Sequence, residues 1–224
     1  MSITVRSLLC VAACLALVVP TGASAASCTA GPAATASSDR PHLVDVGGDL
    51  TTGVWPGGPG AYDLSKVWVS QVDEPAAGKP ATFAVNLVVG DLTQHPVNAA
   101  FYVNYSPTEW VAAKASVDGT WRFSWGQHPA SGPVIGAAYR EWASTTGSID
   151  ATRGVISITL PTENLPQPPT DGREVLLEQL HVRSGSALGA PGTAQPELLA
   201  TADSSTNASQ CAVVLYPAKP EPAA

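Results

Sequence analysis

No window of twelve or more residues carries an apolar stripe at helical spacing, which excludes a helical bundle and an α/β fold built on long crossover helices. Basic residues are also few. Lysine and arginine number 11 against 18 aspartates and glutamates, a formal net charge of −7, and such a chain lacks the positive footprint that nucleic acid or an anionic membrane requires. The same balance favours calcium over phosphate as an inorganic partner. Long hydrophobic runs are missing too: the apolar stretch from Ser7 to Val19 is too short for a bilayer span of about 20 residues, and no later stretch comes close. The four histidines, His42, His95, His128 and His181, form no H-E-x-x-H and no H-x-H pair, so spacing offers no zinc site. A G-x-S-x-G nucleophile elbow is absent as well.

What is present begins with a leader. Arg6, the apolar run and Ala23-Ser24-Ala25 follow the positive, apolar and A-x-A order of a signal peptide over residues 1–25, which predicts a secreted protein without a transmembrane segment. Arg6 leaves with the leader, so the mature chain is one charge more acidic. Cys10 and Cys14 leave too. The remaining pair, Cys28 and Cys211, predicts one disulfide joining the two ends of the domain; the loop-entropy model values so long a closure at roughly 4–5 kcal/mol. Ala25-Ala26-Ser27-Cys28 also loosely matches a bacterial lipobox, in which Cys28 would carry lipid, although alanine stands where that motif usually has leucine.

Residues 26–41, rich in Ala, Ser, Thr, Gly and Pro, read as a flexible N-terminal leader, and residues 217–224 as a disordered tail. Between them, residues 42–216 run strand after strand: His42–Val46, Tyr62–Val72, Ala81–Leu92, Asn98–Tyr105, Trp110–Gln127, Tyr139–Ser144, Ser148–Ile149 and Gly154–Pro161. Val175–Val182 suits a strand, Ser184–Asn207 an irregular excursion, and Gln210–Tyr216 a closing strand. Turn chemistry separates nearly every run. The expectation is an all-β domain of about ten strands, a single antiparallel β-sandwich of jelly-roll or immunoglobulin-like type.

Asp118-Gly119, between two β-compatible runs, is a strong hairpin signal for a type I′ turn. Setting Val117 opposite Thr120 pairs Ser116 with Trp121, Lys114 with Phe123 and Ala112 with Trp125, which gathers Trp110, Trp121, Phe123 and Trp125 on one face. A row of aromatics on a sheet is a platform for sugar rings or for a protein partner, and equally the core side of a central strand. Trp55, in a Gly-Pro-rich loop, and Trp142 are further candidates.

Asp45-Val46-Gly47-Gly48-Asp49, with Asp63 at the next strand, places three carboxylates around a flexible turn, a pattern suited to a structural calcium ion; Asp and Gly are also simply common in turns. For a hydrolase, Glu109, Glu141, Glu174 and Glu178 are the strand-located glutamates that could meet as a catalytic pair, and solvated surface acids explain them more simply.

Asp45–Asp49, Tyr62-Asp63-Leu64, Phe83–Val89 before Asp91-Leu92, and Thr146–Asp150 followed by Gly154–Pro161 together resemble secreted bacterial β-sandwich modules related to DOMON and carbohydrate-binding domains. That resemblance implies an extracellular, non-catalytic sandwich that binds carbohydrate or accompanies hydrolases. DOMON domains that bind haem commonly use Met and His, and the only methionine here is Met1, so no haem is expected. Three functions follow as expectations: a non-catalytic module binding an extracellular ligand such as a glycan, a structural or protein-interaction domain of the cell exterior, and a small secreted hydrolase.

Overall fold

The computed structural model describes residues 27–29, 31–51, 53, 55–73, 81–106, 108–128, 138–161, 175–177, 180–188, 197–206 and 213–215. The leader at 1–25, Cys211, Glu174, Glu178 and the tail at 217–224 lie outside them. Among the described residues the chain is all-β, with only three-residue 3₁₀ turns, and no helix is long and apolar enough to cross a membrane.

The described residues form fifteen strands: β1 (Ser27–Cys28), β2 (Gly31–Pro32), β3 (Leu43–Val44), β4 (Leu64–Asp73), β5 (Thr82–Val89), β6 (Ala99–Asn104), β7 (Glu109–Ala115), β8 (Trp121–Gln127), β9 (Ala138–Ser144), β10 (Gly147–Asp150), β11 (Val155–Leu160), β12 (Val175–Leu177), β13 (His181–Leu188), β14 (Glu197–Thr206) and β15 (Val213–Leu215). One antiparallel sheet has the order β1-β3-β4-β5-β11-β10. A second antiparallel set runs β13-β14-β9-β8-β7-β6 and returns to β13. Among the described residues its β9–β14 seam is held by two residue pairs, Glu197 with Tyr139 and Leu198 with Ala138. A small sheet, β12-β15-β2, joins the chain's two ends through a parallel pairing of Gly31 with Val213 and Pro32 with Val214.

Alternation in the sequence explains the core. Phe83, Val85, Leu87 and Val89 of β5 and Ile156, Ile158 and Leu160 of β11 point to one side and are buried together with Val67 and Val69 of β4. The same cluster takes Phe101 and Val103 from β6, Val111 and Ala113 from β7, and Val182 from β13, so both large sheets feed one core. Strands β6 and β7 are buried on both faces, and Ala100, Tyr102, Trp110 and Ala112 form a second cluster on their other side.

Three expectations need correction. Residues 26–41 are not a plain exposed leader: β1 and β2 lie there, and Ala33 is fully buried. Ser184–Asn207 is not irregular over its described residues, 184–188 and 197–206, because β13 and β14 pair from His181–Thr206 to Leu188–Leu198. The hairpin register is one residue away from that expected: Ala115 faces Trp121, Ala113 faces Phe123 and Val111 faces Trp125. The turn is the cause. Ser116 N–H donates to the Thr120 carbonyl at 2.9 Å, enclosing a three-residue loop, Val117 to Gly119, in which Gly119 has φ +79° and Asp118 does not have positive φ. A loop of three residues with glycine in the left-handed position replaces the two-residue type I′ turn. Since side chains alternate, that single step moves Trp110 to the face opposite Trp121, Phe123 and Trp125.

Candidate functional site

The aromatic row is therefore three residues, not four. Trp110 is fully buried with its ring edge-on to Tyr102, centroids 5.1 Å apart. Trp121, Phe123 and Trp125 are half-buried and pack against the main core. In the middle, Phe123 lies so close over Gly147 that a Cβ there would come within 2.4 Å of the ring. At one end Trp125 meets Trp142 edge-on at 5.5 Å, and Trp142 is 55% exposed. Trp55 also packs against the core, 5.5 Å from Tyr62, with its indole N–H donating to the Thr51 carbonyl at 3.2 Å.

At the other end Trp121 stacks on Phe101, centroids 6.0 Å apart, and forms one wall of an open groove of about 430 Å³. Val97, Val117 and Ile149 supply apolar lining; His95 and Asp118 supply polar groups. The β7–β8 turn builds this side. Ser116 Oγ donates to Asp118 Oδ1 at 2.7 Å and the Thr120 N–H to the same oxygen at 3.0 Å, and these bonds hold the Asp118 carboxyl below its ordinary pKa. The facing loop is unusual, with His95 at φ 51° and Asn98 at φ 52°, left-handed values that non-glycine residues rarely adopt.

The acidic loop gives the most distinctive geometry. One carboxylate oxygen from each of Asp45, Asp49 and Asp203 lies within 4.8 Å of the others. Asp45 and Asp203 are buried, Asp49 exposed. Of the expected trio, then, Asp45 and Asp49 come together, while Asp63 plays a different part: both of its oxygens accept the Gly48 N–H, at 2.9 and 3.0 Å, which folds the loop over. Thr51 ties the same loop to β14, its N–H donating to the Ala202 carbonyl at 2.8 Å and its hydroxyl to the Thr201 carbonyl at 2.9 Å.

Sequence reasoning missed Asp203. It lies beside a β-bulge, where Ser184 pairs with Asp203 and Gly185 with Thr201, and bulges re-aim side chains. Asp203 Oδ2 accepts the Leu64 N–H at 2.7 Å. Burial, with Asp45, Asp49 and Asp63 adding repulsion against that hydrogen bond, pushes its pKa up to about 7. The Asp45 carboxyl is raised as well, chiefly by burial and next by Asp49. A carboxylate 139 residues from the Leu64 N–H that it accepts leaves no local signal beyond an aspartate in an otherwise Ala, Ser and Thr run.

Of the glutamates considered for hydrolysis, Glu109 is buried beside Ser106 and Gln127, and burial raises its pKa. Glu141 pairs with Lys114 at 3.0 Å. Comparisons with protein-family models, curated proteins and solved structures gave no match.

Proposed function

We propose that the chain is a secreted, non-catalytic β-sandwich module that binds an extracellular glycan in the groove beside the β7–β8 turn. The observation that carries this reading is Trp121, a half-buried indole in the wall of an open groove of about 430 Å³ with polar groups at its rim. Flat indole faces suit sugar rings, and concave, mostly apolar sites with a few placed polar groups suit small ligands. One core fed by both large sheets supports the sandwich. The β2–β15 pairing supports the Cys28–Cys211 disulfide, and with it export, because it sets Gly31, three residues after Cys28, beside Val213, two residues after Cys211.

The test is binding of the purified mature protein to a polysaccharide panel. Val117 is 71% exposed in the groove, so Val117→Arg blocks the site without touching the core and should weaken binding at least tenfold with an unchanged circular dichroism spectrum. Binding unaffected by Val117→Arg, or no glycan bound by the wild type, would overturn the proposal. A second reading, a structural or protein-interaction domain of the cell exterior, is favoured by the packing of most of the aromatic row against the core.

A further inference from the structure

We propose that Asp45, Asp49 and Asp203 form a divalent-cation site that holds calcium and fastens the 45–51 loop to strand β14. Asp45, Asp49 and Asp203 each place a carboxylate oxygen within 4.8 Å of the others, and among the described residues no lysine or arginine pairs with any of them. Burying carboxylates together without a counter-charge is costly, and a bound cation removes that cost. An independent observation points the same way. Asp45 is only 7% exposed, yet its Oδ2 makes no well-formed hydrogen bond: the Ser205 hydroxyl acts on this carboxyl but is itself left without a properly aligned partner, and a buried carboxylate oxygen so weakly satisfied within the cluster suits a cation ligand.

Ligand chemistry narrows the ion. The three oxygens lie within 4.8 Å of one another, close enough to share one ion, and calcium accepts carboxylate oxygens in flexible arrays. Magnesium demands near-ideal octahedral geometry and dehydrates reluctantly, so it is the weaker candidate for an all-protein carboxylate set. Soft metals prefer sulfur or imidazole, and this cluster offers only carboxylates. Asp49, exposed at the rim, gives the ion a way in. Asp63 acts as a positioning residue, because its hydrogen bonds with Gly48 hold the loop that carries Asp45 and Asp49.

Calorimetric titration of the mature protein with CaCl2, with MgCl2 as comparison, tests the proposal, alongside melting in 10 mM CaCl2 and in EDTA. We expect one calcium per chain, magnesium at least tenfold weaker, and a Tm about 5 °C higher with calcium. Asp203→Asn should keep the acceptor for Leu64 while removing a negative charge. Its Tm in EDTA should equal or exceed that of the wild type, and its calcium response should vanish; exposed Asp39→Asn should respond as the wild type does. Failure of the wild type to bind calcium, or an intact calcium response in Asp203→Asn, would overturn the proposal. If Asp203→Asn does not fold, the wild-type titration decides alone.

Discussion

Lys114 shows how much depends on one residue's face. With the expected register it shared a face with Trp121, Phe123 and Trp125; in the fold it lies on the other face and is 7% exposed, with Nζ 5.4 Å from the Tyr102 ring centroid, 5.7 Å from that of Trp110, and 3.0 Å from Glu141 Oε2. Rings and carboxylate together offset the desolvation of its ammonium. Glu141→Gln leaves that charge in place with a weaker partner and should destabilise the protein by about 1–2 kcal/mol, since Glu141 is itself partly solvated. Lys114→Met keeps the apolar stem and removes the charge, so it should cost less than Glu141→Gln; urea denaturation of the two variants tests the order. At this scale the sequence carried two of the three clustered carboxylates. Asp45 and Asp49 were legible because they flank a Gly-Gly turn, whereas Asp203 was not, because its proximity comes from strand pairing across the whole chain.

Among elements, legibility followed the strength of alternation. Strands β5 and β11, with large apolar residues at every second position, were readable, β11 to within one residue and β5 to within three. Strands β13 and β14 were not, since Ala, Gly, Ser and Thr dominate them and the bulge at Ala202 breaks the period of two. The β7–β8 turn was misread for a different reason: Asp-Gly serves a two-residue loop and a three-residue loop alike, and Ser116 and Asp118 decide the matter through hydrogen bonds that spacing does not reveal. Two glycines now separate conformational cost from steric cost. Gly119 has φ +79° and nothing within 4 Å of an added Cβ, so Gly119→Ala should cost only the left-handed backbone, about 1 kcal/mol. Gly154 has φ +65°, and its Cβ would lie 2.4 Å from the Val89 carbonyl oxygen, so Gly154→Ala must also displace β5 backbone and should cost clearly more. Equal losses in chemical denaturation would show that the Val89 contact relaxes freely.

For the whole molecule, acid stability is a contest between buried bases and buried acids. Burial first, then the charges of Arg183 and His128, lower the His181 pKa from 6.5 to about 4. As pH falls from 6.5 towards 4, the unfolded chain takes up a proton at His181 that the folded chain refuses, so stability from this group is complete above 6.5 and is lost across that window. Asp203 works in the opposite direction: with its pKa pushed up to about 7, the folded chain keeps a proton between 7 and 3.8 that the unfolded chain releases, and acid favours folding. The two windows overlap, so the wild-type curve alone cannot separate them. The difference between proteins can. His181→Gln removes only the first contribution, so in EDTA, between pH 7.5 and 4.5, the variant should gain stability over the wild type by about 1–2 kcal/mol, a figure reduced because solvent reaches part of the ring. Differential scanning calorimetry at the two pH values tests this, and parallel curves for the two proteins would mean that His181 is protonated in the folded state as readily as in the unfolded one.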